Sequence, residues 1–369
     1  TIDYSKLEKT KNGVKYKEYS VHVTSGVCEA DTILEVFVND LPTAKITTAD
    51  GIYNEDENET TICLNGSAEL KAKTNATNPS YSWTGGGETL NVTATSLRDI
   101  SYALYVTDGN TKCRSNQANF TVKVQDLPKI EITGSSAICD GETVKLEAKD
   151  NYSSYQWGYI DSNGNFQAYT GQTDKTYTSG VLNNNMTFAL KATSDDVLKC
   201  PNQGVFDLVV KPRPTLALNT PSVCVGKSAT ITVDKTTSKA DEYYYSADGN
   251  KYDATQSFTN YWTSPNTLDN AEKTYSFNFF AALDGCVSTS ATTINITPNV
   301  LPEIEITAPN AVCANNNSVT LKATDNNNNP NTQFTWNWGT TTKTGAAIET
   351  EISSQTTFRV TATNNKGCT

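Results

Sequence analysis

Short segments in which apolar and polar residues alternate recur along the whole chain. The clearest are residues 67–72, 143–148, 229–233 and 318–323. Alternation with a period of two predicts β-strands that turn one face towards a core. No segment places apolar residues at helical spacing over three turns. The pattern therefore predicts an all-β protein.

A second strand signal, rich in aromatic residues, follows each of these segments. It reads Tyr81-Ser82-Trp83, Tyr155-Gln156-Trp157, Tyr243-Tyr244-Tyr245 and Phe334-Thr335-Trp336. About seven short strands with Cys, Trp and Cys in that order predict an immunoglobulin-like β-sandwich. Cys63 precedes the strand at residues 67–72, and Cys113 follows the turn after the strand at residues 101–106. A disulfide at these positions would lie away from the centre of the sandwich. Leu70 and Leu104 are therefore predicted to fill the centre.

The strand pattern repeats at a nearly fixed interval. Leu41-Pro42, Leu127-Pro128, Arg213-Pro214 and Leu301-Pro302 follow one another in steps of 86, 86 and 88 residues. A period of this length predicts a tandem array of small domains. We call its members periods 0 to 4, with the boundaries 1–40, 41–126, 127–212, 213–300 and 301–369.

Periods 0 and 4 are incomplete in sequence. Residues 1–40 match the C-terminal part of a module, and residues 301–369 match a module without its last strand. The sequence thus predicts an interior segment of a longer protein, with export and anchoring signals outside it. The Pro-containing joints restrict φ and predict semi-rigid connections between neighbouring modules.

Each of periods 1 to 4 contains a first and a second cysteine. One pair per period predicts the bonds Cys63–Cys113, Cys139–Cys200, Cys224–Cys286 and Cys313–Cys368. Cys28 is left over, and we expect its partner to lie upstream. No Cys-x-x-Cys pair occurs, which disfavours a zinc or redox site. Disulfide pairing in turn predicts an extracellular or periplasmic location.

Net charge excludes further classes of partner. The chain carries a net charge of −11 at pH 7, and its pI is near 4.7. Nucleic acids and anionic membrane surfaces attract basic patches, so neither is an expected partner. No apolar run approaches the roughly 20 residues that a membrane-spanning helix needs.

Two stretches of the repeat resemble a known family. Residues 139–148 read CDGETVKLEA and residues 357–368 read TFRVTATNNKGC. With the Pro and the Tyr-x-Trp strand, they resemble the immunoglobulin-like repeats of very large Bacteroidota surface proteins, which include adhesins exported by type IX secretion and gliding-motility adhesins. Period 3 departs from this pattern, because it has tyrosines where Trp is expected and an additional Trp262.

The resemblance implies the adhesive stalk of a secreted bacterial cell-surface adhesin, without catalysis. Its partners would be a protein or glycan ligand at a surface and further immunoglobulin-like modules of the same chain. One alternative is a set of spacer or carbohydrate-binding modules in a secreted polysaccharide-degrading enzyme or peptidase. Another is a component of an extracellular filament or secretion complex.

Catalytic residues are sparse. The single histidine, His22, lies on an alternating segment of period 0, where a surface-facing strand residue is the expected role. Without a histidine in any complete period, neither a Ser/His/Asp nor a Cys/His arrangement can be assembled there. Asp195 and Asp196 are adjacent, point to opposite sides of an extended chain and fit a solvated turn.

Calcium is the one cofactor that the sequence suggests. Asp50, Glu55, Asp56, Glu57 and Glu59 crowd the segment before Cys63, and clustered carboxylates are ligands that Ca²⁺ prefers. The alternative is a solvated loop, because the spacing matches no EF-hand. Residues 161–165 and 248–250, rich in Asn, Asp and Gly, are predicted as hairpin turns.

Aromatic residues outside the core pattern are candidates for ligand binding. Tyr261 and Trp262 are the first choices, because exposed aromatic faces suit sugar rings and protein anchors. The alternative for Trp262 is that it packs in place of the missing Trp of its period. Trp336 and Trp338 share one strand face, and both are expected in a core.

Overall fold

The structure, a computed structural model, describes residues 9–83, 86–247, 251–313, 317–327 and 331–369. All regular elements in these ranges are β-strands. The chain forms two compact units. One comprises residues up to Ser136 with Thr143–Val181 and Asn185–Val209, and the other comprises Ala137–Glu142, Leu182–Asn184 and Val210–Thr369.

Period 0 is a long antiparallel hairpin with a short third strand. Its strands are β1 (Lys9–Lys11), β2 (Val14–Ser25) and β3 (Cys28–Val38), in the order β1-β2-β3. The register runs from Ser25 opposite Cys28 to Lys15 opposite Val38. Gly26 supplies the positive φ of the connecting turn.

Period 1 has two sheets. Its strands are β4 (Lys45–Thr47), β5 (Ile52–Asn54), β6 (Glu59–Cys63), β7 (Ser67–Lys73), β8 (Ser80–Ser82), β9 (Thr89–Thr93), β10 (Ile100–Thr107) and β11 (Ala118–Gln125). One sheet has the order β4-β7-β9 and the other β5-β6-β11-β10-β8. All pairings are antiparallel except that of β6 with β11, which is parallel.

Period 2 repeats this plan. Its strands are β12 (Ile132–Thr133), β13 (Ala137–Cys139), β14 (Lys145–Ala148), β15 (Ser154–Ile160), β16 (Phe166–Ala168), β17 (Thr176–Thr178), β18 (Met186–Thr193) and β19 (Pro201–Lys211). β12, β14 and β17 form one sheet, and β19-β18-β15-β16 are consecutive in the other. The predicted turn at residues 161–165 joins β15 to β16, with the Asp161 N–H donating to the Asn165 carbonyl at 2.9 Å.

Periods 3 and 4 follow with two sheets each. Period 3 contains β20 (Leu218–Asn219), β21 (Thr230–Val233), β22 (Glu242–Ser246), β23 (Ser257–Phe258), β24 (Tyr261–Thr263), β25 (Tyr275–Leu283), β26 (Cys286–Val287) and β27 (Thr292–Ile296). Period 4 contains β28 (Ile304–Thr307), β29 (Ser318–Asp325), β30 (Gln333–Trp338), β31 (Thr341–Thr344), β32 (Ala347–Glu351) and β33 (Arg359–Thr363). The sheets are β20-β21-β24 and β23-β22-β25-β26, with β27 also on β25, and then β28-β29-β32 and β31-β30-β33.

In periods 1 to 4 the cores lie between the two sheets, as alternation predicts. Leu70 and Leu104 are fully buried in period 1, so their predicted place at the centre is confirmed. Trp157 and Trp336 are fully buried in periods 2 and 4. The all-β, immunoglobulin-like sandwich fold is therefore confirmed.

Two predictions about organisation stay predictions. The strands of each pair of sheets come from one predicted period, but compactness divides the chain into two units rather than five, so the period boundaries stay a prediction. The predicted turn at 248–250 lies outside the described residues. Among the described residues, no helix is long and apolar enough to cross a bilayer.

Candidate functional sites

Three disulfides connect cysteines of different periods. The bonds are Cys63–Cys200, Cys139–Cys286 and Cys224–Cys368, each with a Cα–Cα distance of 5.6 Å. Each joins the first cysteine of one period to the second cysteine of the next. The prediction of bonds within periods, Cys63–Cys113, Cys139–Cys200, Cys224–Cys286 and Cys313–Cys368, is therefore wrong, although six of those eight cysteines are bonded.

Strand register explains why a period does not bond its own two cysteines. β6 runs parallel to β11, and Cys63 lies opposite Gln125, the last residue of β11. Cys113 instead precedes β11, which begins at Ala118. An eight-residue strand spans about 26 Å, whereas a disulfide needs Cα atoms within about 7 Å. The first and second cysteines therefore lie at opposite ends of the last strand.

The first cysteine occupies the same backbone setting in three periods. The residue after it donates its N–H to a carbonyl at or just beyond the end of the last strand. The pairs are Leu64 to Gln125 at 2.8 Å, Asp140 to Lys211 at 2.8 Å and Val225 to Asn299 at 2.9 Å. Because the chain passes from this point into the next period, the first cysteine faces the joint.

The second cysteine is held in a tight turn before the last strand. The carbonyls of Cys113, Cys200 and Cys368 accept N–H bonds from Asp108, Ser194 and Asn364, all at 2.9 Å. Cys200 and Cys368 are fully buried. Cys113 thus has the backbone setting of two bonded cysteines, yet its thiol is free.

Two further thiols are free, Cys28 and Cys313, and both are exposed. The predicted bond of Cys313 with Cys368 is replaced by the Cys224–Cys368 bond. An upstream partner for Cys28 stays a prediction.

Arg213 reinforces the joint that carries the Cys139–Cys286 bond. Its Nε donates to the Asp140 carbonyl at 2.7 Å and its Nη1 to the Val287 carbonyl at 2.7 Å. Its Nη2 lies 3.2 Å from Glu142 Oε1. One guanidinium therefore holds the residue that follows each cysteine of this disulfide. In the sequence, Arg213 stands out only as a variant of the Leu-Pro mark, so this role was not predicted.

A polar contact accompanies the Cys63–Cys200 bond. Gln125 Nε2 donates to Asp196 Oδ2 at 2.6 Å. The Lys199 N–H, donating to the other oxygen of Asp196, is the main cause that lowers the pKa of this carboxyl. Asp196 therefore organises the turn before Cys200 and also contacts the last strand of period 1.

Trp262 is partly buried and packs against the core of period 3. Its ring stacks on Tyr245 with centroids 4.2 Å apart and packs on Phe277 and Phe279 at 5.1 and 5.4 Å. Tyr261, the next residue on β24, points the other way and is 61% exposed. The two proposed ligand residues therefore do not form one surface. Trp262 packs in place of the Trp that period 3 lacks in its aromatic strand.

The five acidic residues proposed for calcium are not brought together. Asp50 Oδ2 accepts the Glu69 N–H at 2.7 Å, Glu55 pairs with Lys45, and Glu59 pairs with Lys123 at 2.7 Å. These lysines lower the pKa of the Glu55 and Glu59 carboxyls. Asp56 and Glu57 are exposed. Among the described residues, no group of three or more His, Cys, Asp or Glu side chains could hold a metal ion.

His22 has the surface position expected for it. Its side chain is about half exposed on β2, and Nδ1 lies 2.6 Å from Asp31 Oδ1 on the neighbouring β3. Asp195 is exposed at the turn that follows β18, consistent with the solvated turn predicted there.

One cleft lies on period 3. It has a volume of about 780 Å³ and is lined in part by Asp241, Glu242, Tyr243 and Phe258. The Glu242 carboxylate accepts a hydrogen bond from the Tyr244 hydroxyl, which raises the pKa of that tyrosine. No cysteine or histidine lines this cleft.

Comparison with known proteins gives structural similarity at low identity. No protein-family model matches the chain, and no curated protein matches it. The chain is similar to an ICAM-5 D1–D4 ectodomain fragment, with 11% identity, a TM-score of 0.30 and coverage of 87% of this chain and 99% of that one. It is also similar to a structure of a 1.5-MDa bacterial ice-binding adhesin, with 13% identity, a TM-score of 0.29 and coverage of 70% and 98%. A third is a structure of Clostridium thermocellum CbhA fibronectin(III)-like modules, with 12% identity, a TM-score of 0.24 and coverage of 45% and 94%.

Proposed function

We propose that this chain is a non-catalytic, load-bearing repeat region of a secreted bacterial cell-surface adhesin. The observation that carries the proposal is the connection of successive periods by disulfides whose loops overlap. The motifs at residues 139–148 and 357–368 support a surface protein of the type IX secretion or gliding-motility kind.

Overlap of the loops shortens the covalent path along which tension travels. The loops close at 63–200, 139–286 and 224–368, so each shares residues with the next. The shortest path between the chain ends uses residues 1–63, 200–224 and 368–369, about 90 residues. At about 3.4 Å per residue, the oxidised chain extends to about 300 Å, against about 1,250 Å when reduced.

This arrangement protects most of each sandwich from force. In period 2, residues 127–199 lie inside the first loop, so a pull on the ends does not draw them out while Cys63–Cys200 is intact. Closing a loop of about 140 residues also stabilises the folded state by about 5 kcal/mol in the chain-entropy model. Both effects suit a segment that transmits load.

Burial of one sulfur in each bond supports function in an oxidising compartment. Cys200, Cys286 and Cys368 are each at most 1% exposed. A thiolate must reach a disulfide sulfur to reduce it, so these bonds persist once they form. Secreted and cell-surface proteins are where such bonds are found.

Stretching of single molecules tests the mechanical part of the proposal. The chain is tethered at its two ends and pulled with and without reductant. We expect a maximum extension near 300 Å when oxidised and about fourfold more when reduced. Extension of the oxidised chain to the full length of the reduced chain would overturn the proposal.

Attachment under flow tests the adhesive part. Cells produce the protein that contains this chain either unchanged or with Cys63, Cys139 and Cys224 replaced by Ser. Cells with the substituted protein should attach normally at rest but detach at lower shear than cells with the unchanged protein. Surface staining of unpermeabilised cells checks that the variant is exported in equal amount. Equal resistance to shear at equal display would contradict a load-bearing role.

A further inference from the structure

The three disulfides do not contribute equally to the connection along the chain. In chain order, the first, middle and last bonds are Cys63–Cys200, Cys139–Cys286 and Cys224–Cys368. The shortest covalent path crosses the first bond, follows residues 200–224 and crosses the last bond. The middle bond is not on this path, so it adds nothing to the connection while residues 200–224 are intact.

Three loops with exposed apolar side chains lie outside residues 200–224. Leu97 lies between β9 and β10, Val181 between β17 and β18, and Val197 between β18 and β19. These side chains are 54%, 65% and 84% exposed. Exposed loops are where endoproteases cut folded proteins most readily. Cuts in any of these loops, or in all three, leave the shortest path unchanged.

Residues 200–224 also have an exposed stretch. Asn219, Thr220 and Ser222 are exposed where the chain leaves β20. An endoprotease that cuts the backbone there breaks the shortest path. The connection between the two ends of the chain then depends on the middle bond.

The middle bond supplies a second path. From Cys200 this path runs back to Cys139 and crosses the middle bond. It then runs back from Cys286 to Cys224 and crosses the last bond. It contains about 190 residues in all and extends to about 650 Å at about 3.4 Å per residue. By the same tracing, no single cut and no pair of cuts between the first and the last bonded cysteine separates the two ends.

Side-chain contacts also connect the two sides of such a cut. Arg213 Nη1 donates to the Val287 carbonyl at 2.7 Å, and Lys211 Nζ donates to the Asp284 carbonyl at 2.9 Å. Both donors precede the exposed stretch at residues 219–222, and both acceptors follow it. These contacts therefore hold the joint around the middle bond without passing through the cut backbone.

We propose that Cys139–Cys286 is a reserve connection, which keeps the two ends of the chain joined after an endoprotease cuts residues 200–224. The protease adds one water to one peptide bond, leaves a carboxylate and an amine, and changes no disulfide. The inference goes beyond the load-bearing role, because a chain that bears no load would stay joined in the same way.

Chemical cleavage at an added methionine tests the proposal. Met186 is the single methionine of the chain, and Thr220→Met adds a second one in the exposed stretch. After free thiols are blocked with N-ethylmaleimide, cyanogen bromide in acid cuts after both methionines and leaves disulfides intact. We expect one species without reductant and three fragments with it. Release of residues 221–369 without reductant would overturn the proposal.

The matched control combines Thr220→Met with Cys139→Ser and Cys286→Ser. Cyanogen bromide should then release residues 221–369 without reductant. The two serine substitutions without Thr220→Met should give one species, because Cys63–Cys200 joins the fragments on either side of Met186. Retention of residues 221–369 in the control would show that another bond joins the ends, and it would also overturn the proposal.

A second position covers the case in which Thr220→Met prevents folding. Peptide mapping before cleavage reports whether the three disulfides have formed. If they have not, Asn219→Met places the cut one residue earlier, at another exposed position. The expected and the contradicting results are the same as for Thr220→Met.

Enzymatic cleavage of the folded chain extends the test. The recognition sequence of a site-specific endoprotease is inserted after Thr220, and reducing electrophoresis confirms the cut. Under force, the cut chain should stay tethered and extend to about 650 Å at about 3.4 Å per residue. The cut chain with Cys139→Ser and Cys286→Ser should lose its tether. Loss of the tether in both cut chains would overturn the proposal.

Discussion

Cys63 is bonded to Cys200, 137 residues further along the chain and in the following period. The same step from a first to a second cysteine recurs twice, with separations of 147 and 144 residues. Disulfides in small sandwiches more often tie two strands of one module together. Here each bond instead spans the joint between two successive periods.

Removal of single bonds should change the extension of the chain unequally. Without Cys63–Cys200, the shortest covalent path runs through Cys139–Cys286, back from Cys286 to Cys224 and through Cys224–Cys368, and contains about 205 residues. The double variant Cys63→Ser/Cys200→Ser should therefore stretch to about 700 Å at about 3.4 Å per residue, against about 300 Å for the parent. Force spectroscopy without reductant measures both values.

The middle bond provides the matched control. The double variant Cys139→Ser/Cys286→Ser leaves the path through Cys63–Cys200 and Cys224–Cys368 unchanged. Its maximum extension should equal that of the parent, even though one disulfide is missing. An equal increase in both double variants would mean that the bonds do not overlap in solution as they do in the structure.

Replacement of Arg213 should weaken the joint beside Cys139–Cys286 selectively. Arg213→Leu restores the Leu-Pro mark of the other periods but removes the bonds to the carbonyls of Asp140 and Val287. We expect a loss of about 1–3 kcal/mol in unfolding free energy, typical of hydrogen bonds made by a charged group. Peptide mapping during reduction should show faster loss of Cys139–Cys286 than in the parent.

Arg213→Lys separates geometry from charge. Lys keeps the positive charge but cannot donate along several directions from one planar group. It should therefore behave more like Arg213→Leu than like the parent. The rate of reduction of Cys63–Cys200 serves as the internal reference and should stay constant in both variants.

Sequence patterns sufficed for the fold because they depend on local physics. Alternation placed β7, β14, β21 and β29, and the off-centre cysteines correctly left Leu70 to fill a core. The position of His22 on an exposed strand followed from the same pattern. Each of these conclusions needs only the period of two and the burial of one face.

Cysteine pairing could not be predicted in the same way. One pair per period fits bonds within a period and bonds between successive periods equally well, and eight cysteines allow 105 connectivities. The decisive fact is that Cys63 lies opposite Gln125, which is a matter of strand register between distant segments. The role of Arg213 depends on the same joint and carried no sequence signal beyond the replacement of Leu before Pro214.

The two aromatic residues of β24 should differ sharply in their effect on stability. Trp262→Ala removes a ring that contacts Tyr245, Phe277 and Phe279, and we expect a loss of about 3 kcal/mol in unfolding free energy. Tyr261→Ala changes an exposed side chain and should stay within about 0.5 kcal/mol of the parent. Denaturant unfolding of the two single variants checks this, and similar losses in both would refute the core placement of Trp262.

The Asp108 carboxylate should make period 1 sensitive to acid. It accepts N–H bonds from Thr111 at 2.8 Å, Thr77 at 2.6 Å and Asn110 at 2.9 Å, and these bonds lower its pKa to about 2. A carboxyl with a lowered pKa stabilises the folded state above its unfolded pKa, near 4, and this stabilisation is lost as the pH falls through about 2.

Asp108→Asn should therefore destabilise the protein at pH 7, because an amide cannot accept these bonds as strongly as a carboxylate. The difference from the parent should shrink as the pH falls from 4 to 2, where the parent carboxyl becomes protonated. Asp99→Asn, at an exposed position of the same period, is the control and should have little effect at either pH. Denaturant unfolding at a series of pH values measures the difference in unfolding free energy between Asp108→Asn and the parent. If this difference is as large at pH 2 as at pH 7, the charge of the carboxylate is not what holds the turn before Cys113.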